Sequence, residues 1–282
     1  MKTCGTIAGM NSARMIATLV ALAALPVLCA PQDAAPKAGA TKDAATKDAP
    51  TRNDAGTIEF LEGDVTLVKP DKTRSKPKVG DTVAEGDSIA TGATGEAHFN
   101  MLDGGYIAAR PNTKFRFVQY QAIGEASDRS VLGVLEGSLR IVSGWIGQFS
   151  QKNYVVRTPT ATIGIRGTDH ETHVRLKDDA EGEAGTYDRV YAGGTFIKTA
   201  SGRVDVAPDK VGFLSAKKGS RPRVLERVPG FFRATRNERL IEGRHARQGP
   251  LLEKLREERR NKVKAQIQGK GQGKGRHLRG RE

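Results

Sequence analysis

The densest group of ionisable side chains in the sequence is Asp169, His170, Glu171 and His173, which together offer nitrogen and oxygen ligands for a metal ion. The surrounding segment is rich in β-branched residues and is broken by glycine and proline, so it predicts a strand and not a helix. Side chains on a strand alternate between its two faces, and His170 and His173 are therefore expected to point in opposite directions. We predict no metal site here, and no cofactor.

A second acidic group lies in the glycine-containing segment KDDAEGEAG, which carries Asp178, Asp179, Glu181 and Glu183. Carboxylates in a loop can hold Ca²⁺, but this segment lacks the ordered alternation of ligands that is typical of a calcium-binding loop. We interpret it as a solvated loop.

The sequence contains no other arrangement that is typical of catalysis. A GxSxG elbow, a Walker loop and an HExxH helix are all absent. The two cysteines, Cys4 and Cys29, both precede residue 31, so a chain cleaved after Ala30 has no thiol nucleophile. We predict that the protein is not an enzyme, and an enzyme of unknown type ranks third among the alternatives.

Two aromatic residues form the candidate interaction surface of the sequence. Trp145 and Phe149 lie in the glycine-flanked segment SGWIGQFSQ, where they could stack against a sugar or a peptide. The alternative, which the scarcity of aromatic residues favours, is that Trp145, the single tryptophan, fills one end of a β core.

The elements that position these residues are predicted to be short strands. In GTIEFLEGDVTLV, apolar residues alternate on both sides of Gly63, which predicts two strands joined by a hairpin. Asp103-Gly104 suits the positive φ angles of a second hairpin turn. Strand-like runs recur about every 8–12 residues, which indicates an all-β sandwich, roll or solenoid.

Four ordered motifs lie between Gly56 and Ser215, namely EGDSIATG, LDGGYIAARPNTKF, LEGSLRIVSG and VRTPTATIGIRGTDHETHV. Together they resemble the FecR domain. We interpret the glycines of these motifs as turn positions and expect Arg166 to bridge neighbouring turns, so the roles of this set are structural. The set comprises Gly92, Asp103, Gly104, Pro111, Asn112, Arg166, Gly167 and Thr168.

The resemblance implies a fold and a binding habit. In FecR, the domain lies outside the inner membrane, contacts a TonB-dependent transporter and signals through one transmembrane helix to a cytoplasmic segment that controls a sigma factor. This sequence has no such cytoplasmic segment before its apolar run. We therefore expect an interaction domain, and the alternative is a periplasmic signalling partner of an outer-membrane transporter and sigma-factor system.

The N-terminus predicts export to the periplasm or the cell surface. Lys2 and Arg14 precede an apolar run from Met15 to Leu25, and Ala30 follows as a small residue for cleavage, so residues 1–30 are interpreted as a signal peptide. The run is shorter than the ~20 residues of a membrane-spanning helix. Cleavage and retention as an anchor both stay open, as does lipidation of Cys29. Residues 31–55 form a predicted disordered linker.

The C-terminal segment carries the positive charge. The net charge of +14 equals the charge of residues 216–282, which hold 21 basic and 7 acidic residues. We predict that residues 216–282 form a basic, low-order tail with a helix at 250–268. We also predict that this whole tail can be removed without unfolding residues 56–215. In an exported protein such a tail favours a protein, polysaccharide or other anionic envelope polymer as partner, and a merely solubilising role is the alternative. Nucleic acid is disfavoured because no aromatic residues alternate with the basic ones.

Overall fold

The structure, a computed structural model, describes residues 53–276 and places side chains as far as residue 266. The predicted signal peptide, nearly all of the predicted linker and residues 277–282 lie outside this part. The strands are β1 (Asp54–Glu62), β2 (Val65–Val68), β3 (Arg74–Ser75), β4 (Thr82–Ala84), β5 (Ser88–Thr91), β6 (Glu96–Met101), β7 (Tyr106–Ala109), β8 (Lys114–Gln121), β9 (Arg129–Val142), β10 (Tyr154–Arg157), β11 (Thr162–Ile165), β12 (Asp169–Arg175), β13 (Gly185–Ala192), β14 (Thr195–Thr199), β15 (Gly202–Val206), β16 (Val211–Ser215) and β17 (Arg223–Leu225). The helices are α1 (Trp145–Phe149), α2 (Arg244–Gln248) and α3 (Leu252–Arg276), and single 3₁₀ turns lie at Gln151–Asn153, Glu238–Leu240 and Gly249–Leu251.

The strands form two sheets that share β9. The first sheet has the order β4-β1-β6-β7-β9-β12-β13-β16-β17 and is antiparallel throughout. The second has the order β3-β2-β5-β8-β9-β10-β11-β14-β15, in which β9 and β10 form the parallel pair. The all-β prediction is confirmed, and its form is a two-layered roll.

Strand β9 passes from one sheet to the other near Gly137. Its first half pairs with β8 and β10, and its second half pairs with β7 and β12. Gly137 has a φ of 82°, in the left-handed region that favours glycine. The apolar core lies between the two layers, and its largest fully buried side chains include Trp145, Phe99, Phe115 and Leu132. Burial of this apolar surface is the main stabilising term of the roll.

One of the two predicted hairpins is wrong. The turn at Asp103-Gly104 does join two paired strands, β6 and β7. The turn at Gly63, however, joins β1 of the first sheet to β2 of the second, and these two strands do not pair. Gly63 is required there because its φ is 63° and a Cβ would collide with the carbonyl oxygen of Thr94. The turn changes layers instead of closing a hairpin.

The segment after Ser215 is more ordered than the sequence indicates. It adds β17 to the edge of the first sheet, crosses the outer face of that sheet and ends in α3. The predicted helix at 250–268 corresponds to α3. Order here comes from long-range packing, with Phe232, Ile241 and Leu252 buried against the roll. A local sequence pattern does not reveal such contacts.

Candidate interaction surfaces

The corner between β7 and β8 joins neighbouring strands through its own backbone. Pro111 and Asn112 form the corner, and Asn112 has a φ of 55°, which asparagine tolerates better than most residues. The Asn112 N–H donates to the Gly92 carbonyl oxygen (3.0 Å), and the Thr113 N–H donates to Thr91 Oγ1 (2.8 Å). These contacts fix β5 beside the start of β8.

The hairpin after β6 contains a buried carboxylate. Asp103 Oδ1 accepts hydrogen bonds from the Gly105 N–H (3.1 Å) and from the Tyr120 hydroxyl (2.9 Å). Burial disfavours the charged form and raises the pKa of Asp103 to about 6, although these hydrogen bonds act in the opposite direction. Gly104, with a φ of 72°, completes the turn.

The motif between β11 and β12 also has a structural role. Arg166 Nη2 lies 3.0 Å from Asp205 Oδ1, so this side chain does bridge to a neighbouring strand. Gly167 has a φ of 58°, and the Thr168 N–H donates to Ser143 Oγ (2.9 Å). The motif thereby holds the end of β9 beside the start of β12.

On its inner face, β12 carries a buried polar cluster. His170 Nδ1 lies 2.8 Å from Asp188 Oδ1, and neither side chain is exposed. Asp188 also accepts hydrogen bonds from Thr172 Oγ1 (2.9 Å) and Thr195 Oγ1 (2.6 Å). Since Thr195 belongs to the second sheet, this cluster ties the two layers together. It has no local sequence signal, because its carboxylate lies 18 residues after the histidine.

The outer face of β12 carries the other members of the predicted cluster. Asp169 pairs with Arg140 (2.9 Å), whereas the His173 ring stacks on Phe231 at a centroid distance of 4.6 Å. His170 and His173 thus point to opposite faces, as the strand pattern predicts. Within residues 53–266, no three potential metal-ligating side chains come together.

A strap, residues 229–251, covers this outer face. Glu238 lies between two guanidinium groups, with Oε2 at 2.6 Å from Arg110 Nη2 and Oε1 paired with Arg140. Thr235 Oγ1 accepts from Arg110 Nη1 (2.9 Å) and donates to Glu96 Oε1 (3.1 Å). The strap is therefore bound through charge-assisted hydrogen bonds to side chains that it buries.

Three basic residues of the strap are also paired with carboxylates of the roll. These pairs neutralise positive charges that the sequence alone predicts to be exposed to solvent on a disordered tail. The pairs are Arg233–Glu181, Arg236–Glu62 and Arg244–Glu59.

Comparison with known proteins agrees with the motif geometry. Residues 87–188, from the start of β5 into β13, match the model of the family described as FecR protein. The chain contains a FecR domain. The match leaves out β1–β4, β14–β17, the strap and α3.

Two solved structures are similar to part of this chain. Both are crystal structures of a candidate anti-sigma factor from Parabacteroides distasonis ATCC 8503, at 1.65 Å and 2.50 Å resolution. Their identities to this chain are 13% and 14%, with TM-scores of 0.39 and 0.40. Each match covers 49% of this chain and 58% of the chain in the solved structure. No curated protein matches the sequence.

The predicted aromatic platform is wrong for Trp145. Its side chain is 2% exposed, and its Nε1–H donates to Asp128 Oδ2 (2.8 Å) beneath the FecR domain surface. Burial is the alternative that the scarcity of aromatic residues already favoured. Phe149 is 40% exposed, and the Arg256 guanidinium lies 5.1 Å from its ring centroid. Only the second aromatic residue of the pair thus faces solvent.

Helix α3 is attached to the FecR domain by its basic side chains as well as by Leu252. Arg256 Nε donates to the Gly124 carbonyl oxygen (3.2 Å), and Arg259 Nε donates to the Ala122 carbonyl oxygen (3.1 Å). Among residues 53–266, no carboxylate oxygen lies within 4.0 Å of the charged nitrogens of Arg256, Arg259 or Lys262. Helix α3 therefore presents three cations without a carboxylate partner in that range, and Arg239 and Arg247 of the strap likewise pair with no carboxylate there. None of the described helices is long and apolar enough to span a membrane.

The acidic loop between β12 and β13 is bound to basic residues of the chain. Asp179 pairs with Arg175, Glu181 pairs with Arg233 of the strap, and Glu183 lies 2.9 Å from Lys217 Nζ. The hydrogen bond from the Glu181 N–H lowers the pKa of Asp179, and the hydrogen bond from the Ser215 hydroxyl lowers the pKa of Glu183, with Arg175 and Lys217 acting in the same direction. The loop thus anchors the strap in addition to facing solvent.

Proposed function

We propose that this protein is an exported, non-enzymatic envelope protein in which the FecR domain is an interaction module and the C-terminal helix contacts an anionic envelope polymer. The observation that carries the proposal is the division of the basic residues. Three of the five arginines of the strap are paired with carboxylates of the roll, whereas Arg256, Arg259 and Lys262 of α3 have no carboxylate partner among the described side chains. Unpaired cations on one surface attract a polyanion by releasing its counterions.

The ionisable residues of the roll support a binding role more than a catalytic one. His170 is buried against Asp188, and Asp103 is buried against Tyr120. Both groups hold strands together at positions that a substrate does not reach. Export rests on the sequence of residues 1–30.

Deletion of the whole segment after Ser215 is unsuitable as a test. It would uncover Arg110 and Arg140, which the strap buries, and would remove the buried side chains of Ile241 and Leu252. The expectation that this segment can be removed without unfolding residues 56–215 stays a prediction, and the buried Ile241 and Leu252 argue against it.

A shorter truncation tests the proposal. A stop codon after Gln266 removes five basic residues and one acidic residue and leaves the strap and the docked part of α3 in place. The test compares retention of the full chain and the truncated chain on polyphosphate resin at low and physiological salt. We expect weaker retention after truncation and steep loss with salt. Equal, salt-independent retention of both chains would refute polymer binding.

The FecR match supports a second candidate function, that of a signalling partner for an outer-membrane transporter. Crosslinking in cells, followed by identification of the captured protein, distinguishes the two. A transporter crosslinked to the roll would favour signalling.

A further inference from the structure

Three exposed apolar side chains lie on α1 and around the start of α3. Phe149, Leu251 and Leu255 are 40%, 55% and 40% exposed. Leu251 and Leu255 are four residues apart in a continuous helical stretch, so they lie on the same side. Phe149 lies under the guanidinium of Arg256, one residue after Leu255. Grouped exposed apolar residues indicate a binding surface more strongly than scattered ones do.

An open groove adjoins these side chains. It has a volume of about 400 Å³ and lies between α3 and the turn after β6. Its lining includes Met101, Leu102, Trp145, Leu255, Arg259 and Lys262. Leu255 belongs both to the groove and to the exposed apolar group, so the two features are continuous.

Most of the charged side chains around this surface are basic, although Glu258 also lines the groove. Arg256 lies over Phe149, and Arg259 and Lys262 line the groove, while their charges have no carboxylate partner in the described side chains. Lys254 adds a further charge, although it lies 3.9 Å from Glu258. A soluble polyanion would use these cations, but it would gain nothing from three exposed apolar side chains. The combination fits a partner that is both anionic and apolar.

We propose that this patch, formed by Phe149, Leu251, Leu255 and the cations of α3, binds the surface of an anionic lipid membrane. The apolar side chains enter the boundary between headgroups and acyl chains, and Arg256, Arg259 and Lys262 lie at the level of the phosphates. Basic residues near apolar side chains are typical of proteins that bind the membrane interface. This inference rests on the proposed function and names the chemistry of its partner.

The experiment uses sedimentation of the full chain with vesicles of phosphatidylcholine, alone or mixed with phosphatidylglycerol. The variant L251S/L255S removes half-exposed apolar surface from the patch. Its matched control is L135S/L176S, because Leu135 and Leu176 are 57% and 56% exposed elsewhere on the roll. All chains carry the same N-terminus, so the apolar run at Met15–Leu25 contributes equally to each.

We expect L251S/L255S to weaken binding to the mixed vesicles about tenfold. The exposed apolar surface of the two side chains together equals roughly that of one leucine, and insertion into the membrane would bury it. The control should bind as the parent does, and binding to phosphatidylcholine alone should be weak. Binding of L251S/L255S to polyphosphate should be unchanged. Circular dichroism and thermal unfolding confirm that each variant is folded.

Charge variants separate this inference from the function on which it rests. K254Q/K262Q should weaken binding to mixed vesicles and to polyphosphate, with K177Q/K198Q as the control on the roll. If both leucine variants bind the mixed vesicles equally while K254Q/K262Q still weakens polyphosphate binding, the lipid inference is overturned and polymer binding survives. If neither the charge variants nor salt change binding to mixed vesicles or to polyphosphate, the proposed function fails as well. Equal binding to both vesicle types would overturn the anionic part of the inference.

Discussion

Glu238 Oε2 lies 2.6 Å from Nη2 of Arg110, a residue that precedes it by 128 positions and whose side chain is 5% exposed. The same carboxylate pairs with Arg140, which is equally buried. A strap outside the family match thus supplies a further counter-charge to two arginines within it, which also pair with Glu96 and Asp169. The FecR domain of this chain and its C-terminal segment form one structural unit.

Substitution of Glu238 tests this dependence. E238Q removes one charged partner from Arg110, which keeps Glu96, and from Arg140, which keeps Asp169, and losing a hydrogen bond to a charged group costs ~1.5–3 kcal/mol. We expect a loss of that order in the free energy of unfolding, measured by urea denaturation. The control is E242Q, since Glu242 is an exposed carboxylate of the same strap. A parent-like stability for E238Q would show that the strap is not needed by the roll.

Neighbouring leucines at the start of α3 provide a second test. Leu252 is 3% exposed and packs into the core, whereas Leu251 is 55% exposed. L252A should lower the free energy of unfolding by ~2–5 kcal/mol through loss of contacts and the cavity it leaves. L251A should change it by less than about 0.5 kcal/mol. Thermal or urea unfolding of the two variants checks the difference, and equal effects would contradict the docking of α3.

The turn at which β9 changes sheets is a site of backbone strain for any residue except glycine. G137A would force a φ of 82° on alanine and bring its Cβ into collision with the carbonyl oxygen of Asn112. We expect a cost of at least ~1–3 kcal/mol. G230A is the control, because nothing lies within 4 Å of a Cβ at Gly230 and its φ is not in the strained range. Comparable stabilities in chemical denaturation would argue against the shared strand.

Two buried groups give opposite dependences of stability on pH. The pKa of Asp103 is raised to about 6 in the fold, so its stabilising contribution is complete below its ordinary value of 3.8 and is lost as the pH rises through 6. Burial lowers the pKa of His173 from 6.5 to about 4, so its contribution is complete above 6.5 and is lost as the pH falls through 4.

Single substitutions should expose each dependence. In D103N, the free energy of unfolding should fall more steeply than in the parent as the pH is lowered from 6.5 to 4, with a difference of up to ~3 kcal/mol. In H173N, it should fall less steeply over the same range. Urea denaturation at several pH values measures both slopes. Unchanged slopes would mean that these groups titrate at their ordinary pKa values in the fold.

The parts of the fold that depend on local chemistry were predictable from sequence. Alternating apolar residues define the strands, and Asp103-Gly104 specifies its hairpin because both the turn and its strands are local. The turn at Gly63 has the same local character, yet it joins strands of different layers. Its outcome depends on pairing with β4, β6 and β5, which no window around Gly63 contains.

The candidate surfaces were less predictable for the same reason. His170 and His173 separate to opposite faces as a strand requires, but Asp188 becomes a partner of His170 only when β13 pairs with β12. Glu238 occurs in a charged, weakly patterned segment, and its arginine partners are known only from the folded chain. A count of charges therefore predicted that several arginines of the strap face solvent, whereas in the fold they form ion pairs with the roll.

The most direct test of the central claim is the distribution of the protein in fractionated cells as salt is increased. We expect the full chain in the envelope fraction at low ionic strength, with release into the soluble exported fraction as salt rises, because the attraction between exposed charges is screened. The chain ending at Gln266 should be released at lower salt than the full chain. Recovery of the full chain in the cytoplasmic fraction, or retention on the envelope that neither salt nor truncation changes, would contradict the account.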